Sequence, residues 1–185
     1  MNTWPAAEPL QTARTRLEPL TVEHASEMVG VLADPAVYEH IGGGAPSYEQ
    51  LAERYARQVV GRSADGRQGW LNWIVRLRDS GEAIGFTQAT VRHENEVRVA
   101  DVAWLVSPRH QGEGLASEAA SRMCDWLRSQ GAGLLVAYIS AANRPSAGVA
   151  RRLGMRATDV VVDGEVRWES WPQSRRPAPA PSPEP

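Results

Sequence analysis

The chain has 185 residues, enough for one domain with a real core. Its 20 lysine-plus-arginine and 22 acidic residues leave a formal net charge of −2, so no general pull toward nucleic acid or an anionic membrane is expected. A single cysteine, Cys124, excludes an internal disulfide, and no apolar run is long enough to span a membrane. The opening stretch, MNTWPAAEPLQTARTR, lacks the apolar core of a secretory signal, and the expectation is a soluble cytoplasmic protein. No lysine is present, so no lysine can be acylated or form a Schiff base.

Residues 1–13 read as a flexible N-terminus, 14–171 as one domain, and 172–185, PQSRRPAPAPSPEP, as a disordered proline-rich tail. Arg14 to Leu20 reads as a first strand. Thr21 then caps a helix whose Ala25, Met28, Val29 and Leu32 follow helical spacing. A second helical stretch starts at Asp34-Pro35 and is broken by Gly42-Gly43-Gly44. Ser47 with Gln50 makes a capping-box pattern ahead of a helix carrying Leu51, Tyr55 and Val59 on one face. Leu71, Trp73, Val75 and Leu77 alternate as a half-buried strand does. A turn at Asp79–Glu82 leads into Ala83–Arg92, and one at His93–Glu96 into Val97–Val106, so the three strands predict an antiparallel meander. A helix from about Leu115 would bury Cys124 as a small apolar side chain. Leu134–Ile139 suits a central strand, and Pro145 opens a short helix ending at Gly154. Asp163-Gly164 signals a two-residue hairpin between Val160–Val162 and Glu165–Trp168. The order predicts an α+β fold, a mixed sheet with helices on its faces.

The most informative segment is Asp101 to Ala120, DVAWLVSPRHQGEGLASEAA. An apolar strand stops at Ser107-Pro108, a glycine loop follows, and a helix starts near Leu115. Glycine lets backbone approach a ligand closely, and the unpaired N–H groups of the first helical turn, with the helix dipole, attract an anion. The loop has three readings: a plain connection, a dinucleotide site, and the pyrophosphate loop of an acyl-CoA enzyme. Gly112-Glu113-Gly114-Leu115-Ala116-Ser117 nearly spells G-x-G-x-x-G, but a dinucleotide fold places that loop after its first strand. Here three antiparallel strands precede it.

Gln111-Gly112-Glu113-Gly114-Leu115-Ala116 resembles the cofactor signature of the GNAT N-acetyltransferase superfamily: Gln or Arg, two residues, Gly, any residue, then Gly or Ala. The strand Asp101–Pro108 looks like that family's fourth strand. Asn143-Arg144-Pro145-Ser146, followed by Val149 to Met155, resembles its second cofactor element. Asp34-Pro35 through Gly44, with Thr15-Arg16-Leu17, is similar to the ribosomal-protein N-acetyltransferase branch. The likeness spans about Arg14 to Trp171. It implies a mostly antiparallel sheet of six to seven strands flanked by helices and splayed at the fourth and fifth. It also implies acetyl transfer from acetyl-CoA, without a metal, to a primary amine on a protein N-terminus or a small molecule, by direct attack in a ternary complex. The alternative is a noncatalytic acyl-CoA-binding or regulatory module. Either a monomer or a homodimer fits, with no nucleic-acid or membrane partner.

The resemblance implies that amides from Gln111, Gly112, Glu113, Gly114, Leu115 and Ala116, with the Ser117 hydroxyl, hold the coenzyme A pyrophosphate. Backbone groups of Trp104, Leu105 and Val106 would pair with the pantetheine arm as a false strand, one N–H polarising the thioester carbonyl. Asn143 would hydrogen-bond the arm, or else serve as a turn asparagine. Asp101, the one charge in an apolar strand, reads either as the base that neutralises the amine or as a strand-end ion pair. Glu94, Glu96 and Glu113 are weaker bases. The family's acid is commonly a tyrosine after the fifth strand, and this chain has none beyond Tyr138. Ser146 is the alternative acid, or else a helix N-terminal hydroxyl. Arg109 is either a phosphate ligand or a solvated arginine, and His110 is given no role. Among the 7 tryptophans, Trp73, Trp104 and Trp126 read as packing, whereas Trp168 and Trp171 would wall the acceptor groove together with Ile41 to Tyr48.

Overall fold

A computed structural model describes residues 4–39 and 42–171. Eight strands form one sheet in the spatial order β1-β2-β3-β4-β5-β6-β8-β7. In chain order they are β1 (Leu10–Gln11), β2 (Thr15–Pro19), β3 (Gly69–Leu77), β4 (Ala83–Glu94), β5 (Val97–Val106), β6 (Leu134–Ser140), β7 (Arg156–Val162) and β8 (Glu165–Ser170). The helices are α1 (Ala25–Val31), α2 (Tyr48–Gln58), α3 (Leu115–Ser129) and α4 (Arg144–Arg152). Every pairing is antiparallel except β5 with β6, which are parallel and are therefore joined by a crossover, α3. The expected α+β sheet flanked by helices is present, with one strand more than the six to seven anticipated.

The extra strand comes from the N-terminal segment. Instead of being flexible, Leu10–Gln11 pairs with Arg16–Leu17, and Leu10 is buried. Trp4 donates its indole N–H to Gly66 O at 3.0 Å and stacks near His93. Trp73, fully buried, donates to Glu8 O at 2.7 Å. Tryptophan and leucine at positions 4 and 10 bury apolar area whose return to water would cost about 1.5–3 kcal/mol for a leucine-sized side chain. The tail from Pro172 onward lies outside the described residues.

Local signals place the other elements. The Ser47–Gln50 capping box forms, and Leu51 and Tyr55 of α2 are buried. Val59 lies past the end of that helix and is exposed, so it does not share their face. Asp34 caps the turn at Pro35–Tyr38 through the Ala36 N–H, but the stretch is only one short 3₁₀ turn. Asp163 and Gly164 both take positive φ, as a type I′ hairpin turn requires. The hairpin they close sits with β8, not β7, against β6.

The sheet packs on both faces. One layer of core gathers Leu17, Trp73, Val75, Ala100 and Val102 under α3, with Leu115, Met123 and Leu127 inserted from the helix. Cys124 is buried here, and burial pushes its thiol up to about 12, which leaves it an inert apolar group. On the opposite face Met28, Leu32, Leu51, Tyr55 and Ile74 form a second cluster under α1 and α2.

The feature that positions the site is a parting of strands. β5 and β6 pair only over Val99–Asp101 with Leu134–Val136, and beyond them the strands splay. This is the separation expected of the fourth and fifth strands, now numbered β5 and β6 because β1 precedes them. The strand end is held from its other side by β4, where the fit is close: a Cβ on Gly85 would lie 2.0 Å from Leu105 O. Gly85→Ala should therefore cost about 2–3 kcal/mol, seen as a lower urea midpoint at unchanged slope. An unshifted midpoint would mean that β5 moves freely relative to β4.

Candidate functional site

The splay leaves one edge of β5 without a strand partner, and strand alternation decides which groups face it. Ser107 donates its N–H to Ile84 O at 2.7 Å, and Leu105 O lies against Gly85. Backbone groups of Leu105 and Ser107 therefore point at β4. Those of Trp104 and Val106 point into the opening, and Val106 O accepts from Gln111 Nε2 at 3.1 Å. Trp104 and Val106 thus present backbone groups to the opening, whereas the Leu105 backbone is turned to β4. Leu105 contributes only its side chain to the opening, because neighbouring residues of a strand present opposite edges.

Below the strand end the loop turns on Gly112, φ 82°, and Gly114, φ 81°, both in the left-handed region open to glycine. Glu118 is the first residue of α3 to find a helical acceptor, Gly114 O at 3.0 Å. The N–H groups of residues 115–117 therefore point forward out of the helix. Two partners brace this turn from the N-terminal segment. Arg14 donates through Nη1 to Glu113 O at 3.0 Å and through Nε to Glu118 Oε2 at 2.8 Å. Thr12 Oγ1 and the Arg14 N–H donate to the other Glu118 oxygen. Burial raises the Glu118 carboxyl, but these donors outweigh it and hold the group below its ordinary 4.5. Glu118 is therefore an anion already neutralised, leaving the helix start open to another.

Helix α4 closes the opposite wall. Asn143 Oδ1 accepts the Ser146 N–H at 3.1 Å and caps the helix, with Pro145 in the first turn. The cap uses one lone pair of the asparagine's oxygen, and its amide N–H groups have no partner among the described residues. A cleft of about 520 Å³ joins these elements. It is lined by Trp104, Leu105 and Val106, by Gln111, Gly112, Gly114, Leu115, Ala116 and Ser117, and by Asn143 and Ser146. Glu113 is absent from the lining. Its side chain is 55% exposed toward solvent and its carbonyl is engaged by Arg14, so only its amide remains for a cofactor role. His110, given no role, does line the cleft, as do Glu39, Arg144, Val149 and Arg152. Spacing carried part of that signal: within α4, Ser146 and Val149 stand three apart and so lie on neighbouring parts of one helix face.

Asp101 stands at the last β5–β6 pair, on the face opposite α3, since its neighbours Ala100 and Val102 are core beneath that helix. It is not part of the cleft lining. Oδ2 pairs with Arg92, whereas Oδ1 is buried without a hydrogen-bond partner. Burial raises its carboxyl above the ordinary 3.8, outweighing the attraction of Arg92. The same face carries Tyr138, whose hydroxyl accepts from Arg167 at 3.3 Å, and Trp171, which donates to Glu169 at 3.0 Å.

Several other expectations fail on position. Glu94 binds Arg92 and, with Glu96, sits at the hairpin end of β5, far from the loop. Arg109 lies in a separate groove with Glu27, Asp34 and Glu82, which removes its phosphate reading. Trp168 is buried beneath Arg151 and packs in the core, so it walls no groove, whereas Trp171 remains half-buried on the Asp101 face. Trp73 and Trp126 pack edge to face as core, but Trp104 both packs and lines the cleft. Ile41 lies outside the described residues. Among the described residues, no three His, Cys, Asp or Glu gather as a metal site would need, and no helix is long and apolar enough to cross a membrane.

The Arg14 brace is directly testable. Arg14→Ala should speed hydrogen exchange where the loop meets α3, read at the Glu118 amide bonded to Gly114 O, by about tenfold while amides near Met123 and Leu127 keep their protection. Acid should act the same way. A carboxylate held below its unfolded value stabilises above that value, near 4.5, and its contribution is lost as pH falls through the lower folded value. Unchanged loop exchange in the variant would remove Arg14 as the brace.

Comparison with known proteins places this architecture. The Bacillus subtilis (strain 168) protein YkkB, described as uncharacterised, is 25% identical over 156 residues, spanning 82% of this chain and 87% of YkkB. The crystal structure of an acetyltransferase from Agrobacterium tumefaciens str. C58 matches with a TM-score of 0.68 at 25% identity, over 92% of this chain and 98% of that one. Aminoglycoside acetyltransferase AAC(6')-Ib, solved in complex with coenzyme A, matches with a TM-score of 0.72 at 17% identity, over 86% and 96% of the two chains, a likeness of fold. The acetyltransferase (GNAT) domain profile matches residues 14–156, and the chain belongs to the GNAT acetyltransferase family.

Proposed function

We propose that this protein transfers the acetyl group of acetyl-CoA to a primary amine, by direct attack while both substrates are bound. The observation that carries the reading is the cleft itself: an unpaired strand edge, a left-handed glycine turn at a helix start, and the capped end of α4 converge on one space. The residues suit the donor. Forward-pointing amides at 115–117 fit a pyrophosphate, and the Trp104 and Val106 edge fits an amide-bearing arm added as a short strand.

The reaction joins the amine nitrogen to the thioester carbonyl carbon and breaks the carbon–sulfur bond. The amine sheds a proton and the departing sulfur takes one. An inward N–H from the Trp104–Val106 edge polarises the carbonyl as charge develops on its oxygen. Ser146 is assigned the proton for sulfur: its hydroxyl lies on the cleft wall, and its amide, not its hydroxyl, is used in the helix cap. Asp101 is assigned as base. Its support is the unpartnered Oδ1 at the base of the splay, reached from the face opposite α3. A relay of at least one water is implied, since Asp101 does not line the cleft. The acceptor is a protein N-terminus or a small amine, and the Asp34–Gly44 and Thr15–Leu17 segments favour the ribosomal-protein branch.

Two measurements decide. Acetyl-CoA should raise the melting temperature, and a panel of amines should include one that releases thiol. Tight coenzyme A binding without thiol release from any amine would leave the noncatalytic module. Ser146→Ala should lower kcat about tenfold or more with donor affinity changed less than about twofold. Only the ionised Asp101 accepts a proton, so the wild-type rate should climb with pH through its raised value. Asp101→Asn should lose that limb and about a hundredfold in rate. Wild-type kinetics in either variant would remove that residue from the mechanism.

A further inference from the structure

We propose that the proline-rich tail, Pro172 to Pro185, seats on its own domain, in an aromatic groove at the end of the sheet away from the donor cleft. The inference is independent of the acetyl-CoA reading. The groove holds about 400 Å³ and is walled by Trp4, Pro5, Pro19, Val59, Val60 and Trp70. Val59 and Val60 are 44% and 63% exposed, side by side just past α2. A patch of apolar surface left open in this way marks a contact site. The Trp70 indole N–H has Gln68 Oε1 at 3.4 Å, longer than an ordinary hydrogen bond, so it is free to serve a ligand carbonyl. Indole and proline walls with a spare N–H suit a polyproline II segment.

The tail's sequence fits such a groove, and the sheet brings the two together. From Pro177 to Pro185 every residue is a proline or precedes one. Proline fixes φ and drives the residue before it to extended backbone, so little conformational entropy is lost on binding. Ser170, the last residue of β8, pairs with Leu135, Leu135 with Ala100, Ala100 with Val91, and Val91 with Gly69. The chain therefore leaves the sheet on the row where β3 starts and the groove opens. Four strand spacings separate the two points, about 19 Å at roughly 4.8 Å each. The 14 residues of the tail span about 43 Å as polyproline II, at roughly 3.1 Å each. A tether of that reach supplies the tail at about millimolar effective concentration, which fills even a weak groove.

Charge falls in the same order along that path. Arg175 and Arg176 come four and five residues after Trp171, about 12–16 Å on as polyproline II. The β4–β5 turn stands two to three strands from β8, about 10–14 Å away. It carries Glu96, which is exposed and in none of the ion pairs among the described residues. The apolar run from Pro177 to Pro183 then reaches the indoles. Glu184 follows, and Arg62 is the one charged side chain of the groove lining among the described residues. The basic start, apolar middle and acidic end of the tail thus meet a carboxylate, the indoles and a guanidinium in turn.

The test is a nitroxide spin label on the tail, read by nuclear magnetic resonance on the full chain. Ser182→Cys supplies the attachment point, and Cys124, buried with its thiol held protonated, stays unlabelled. Amides of residues 59–61 and the Trp70 indole N–H should lose most of their intensity. Amides of Gly112 and Gly114, at the other end of the sheet, should keep theirs. Val60→Glu changes an exposed side chain of the groove wall and should abolish the selective loss without unfolding the domain. Deletion of residues 173–185 from the unlabelled chain should shift the Trp70 indole resonance. Mixing spin-labelled protein with isotope-enriched protein that lacks the label should leave the enriched signals sharp. Uniform intensities, a loss that survives Val60→Glu, or a Trp70 resonance unmoved by the deletion would overturn the docking. Broadening in the mixed sample would seat the tail of a second copy in the groove and overturn the contact within one chain.

Discussion

Beyond Asp101 the backbone of β5 has β4 on one side and no strand on the other. Polar backbone groups left this way must be met by water or by a ligand, since an unpaired buried N–H or carbonyl is costly. The rest of the cleft is arranged around that edge. Gln111 caps the last inward carbonyl, at Val106, so the strand ends where the loop begins. The glycine turn then swings α3 beneath the edge, and α4 is anchored by Asn143 on the far side of the gap. If β5 and β6 stayed paired to their ends, the opening would close and neither helix start would face a shared space.

The two faces of the sheet divide the labour at this edge. On the α3 face lie the helix start, the glycine turn and a surplus of positive charge. On the other lie Asp101, Tyr138 and Trp171, a half-buried mixture of charge and aromatic surface. Arg14 adds a further constraint from outside the motif, because its two bonds tie the loop and the first turn of α3 to the N-terminal segment. Thr12, within the 1–13 stretch read as flexible, joins Arg14 in holding Glu118 and with it the first turn of α3.

Much of this was legible residue by residue. Alternation from Leu71 to Leu77, the capping pair Ser47–Gln50 and the Asp163-Gly164 turn are local signals, and each element appears where its signal lies. The turn at Gln111 to Ala116 is likewise local, since Gly112 and Gly114 take positive φ just before the helix. Other readings failed where a local pattern did not say which way a side chain would face. Arg109 is two residues from Gln111 yet points into another groove. Trp168 and Trp171 are three apart, and one is core beneath α3 while the other is half-buried on the opposite face.

The sequence by itself determined most of the elements, the fold class and the glycine loop with its companion at Asn143–Ser146, because these depend on contacts a few residues apart; β1 and the short turn at Pro35–Tyr38 were the exceptions. Tertiary structure alone decided where β5 and β6 part, since that is a relation between strands separated by the whole of α3. It also decided that Leu105 turns its backbone to β4, that Arg14 braces a loop roughly a hundred residues away, and that Arg152 reaches Ser117. No periodicity encodes such pairings. They follow from how the packed sheet brings distant segments to one edge, where hydrogen bonds are satisfied by whatever group the fold delivers.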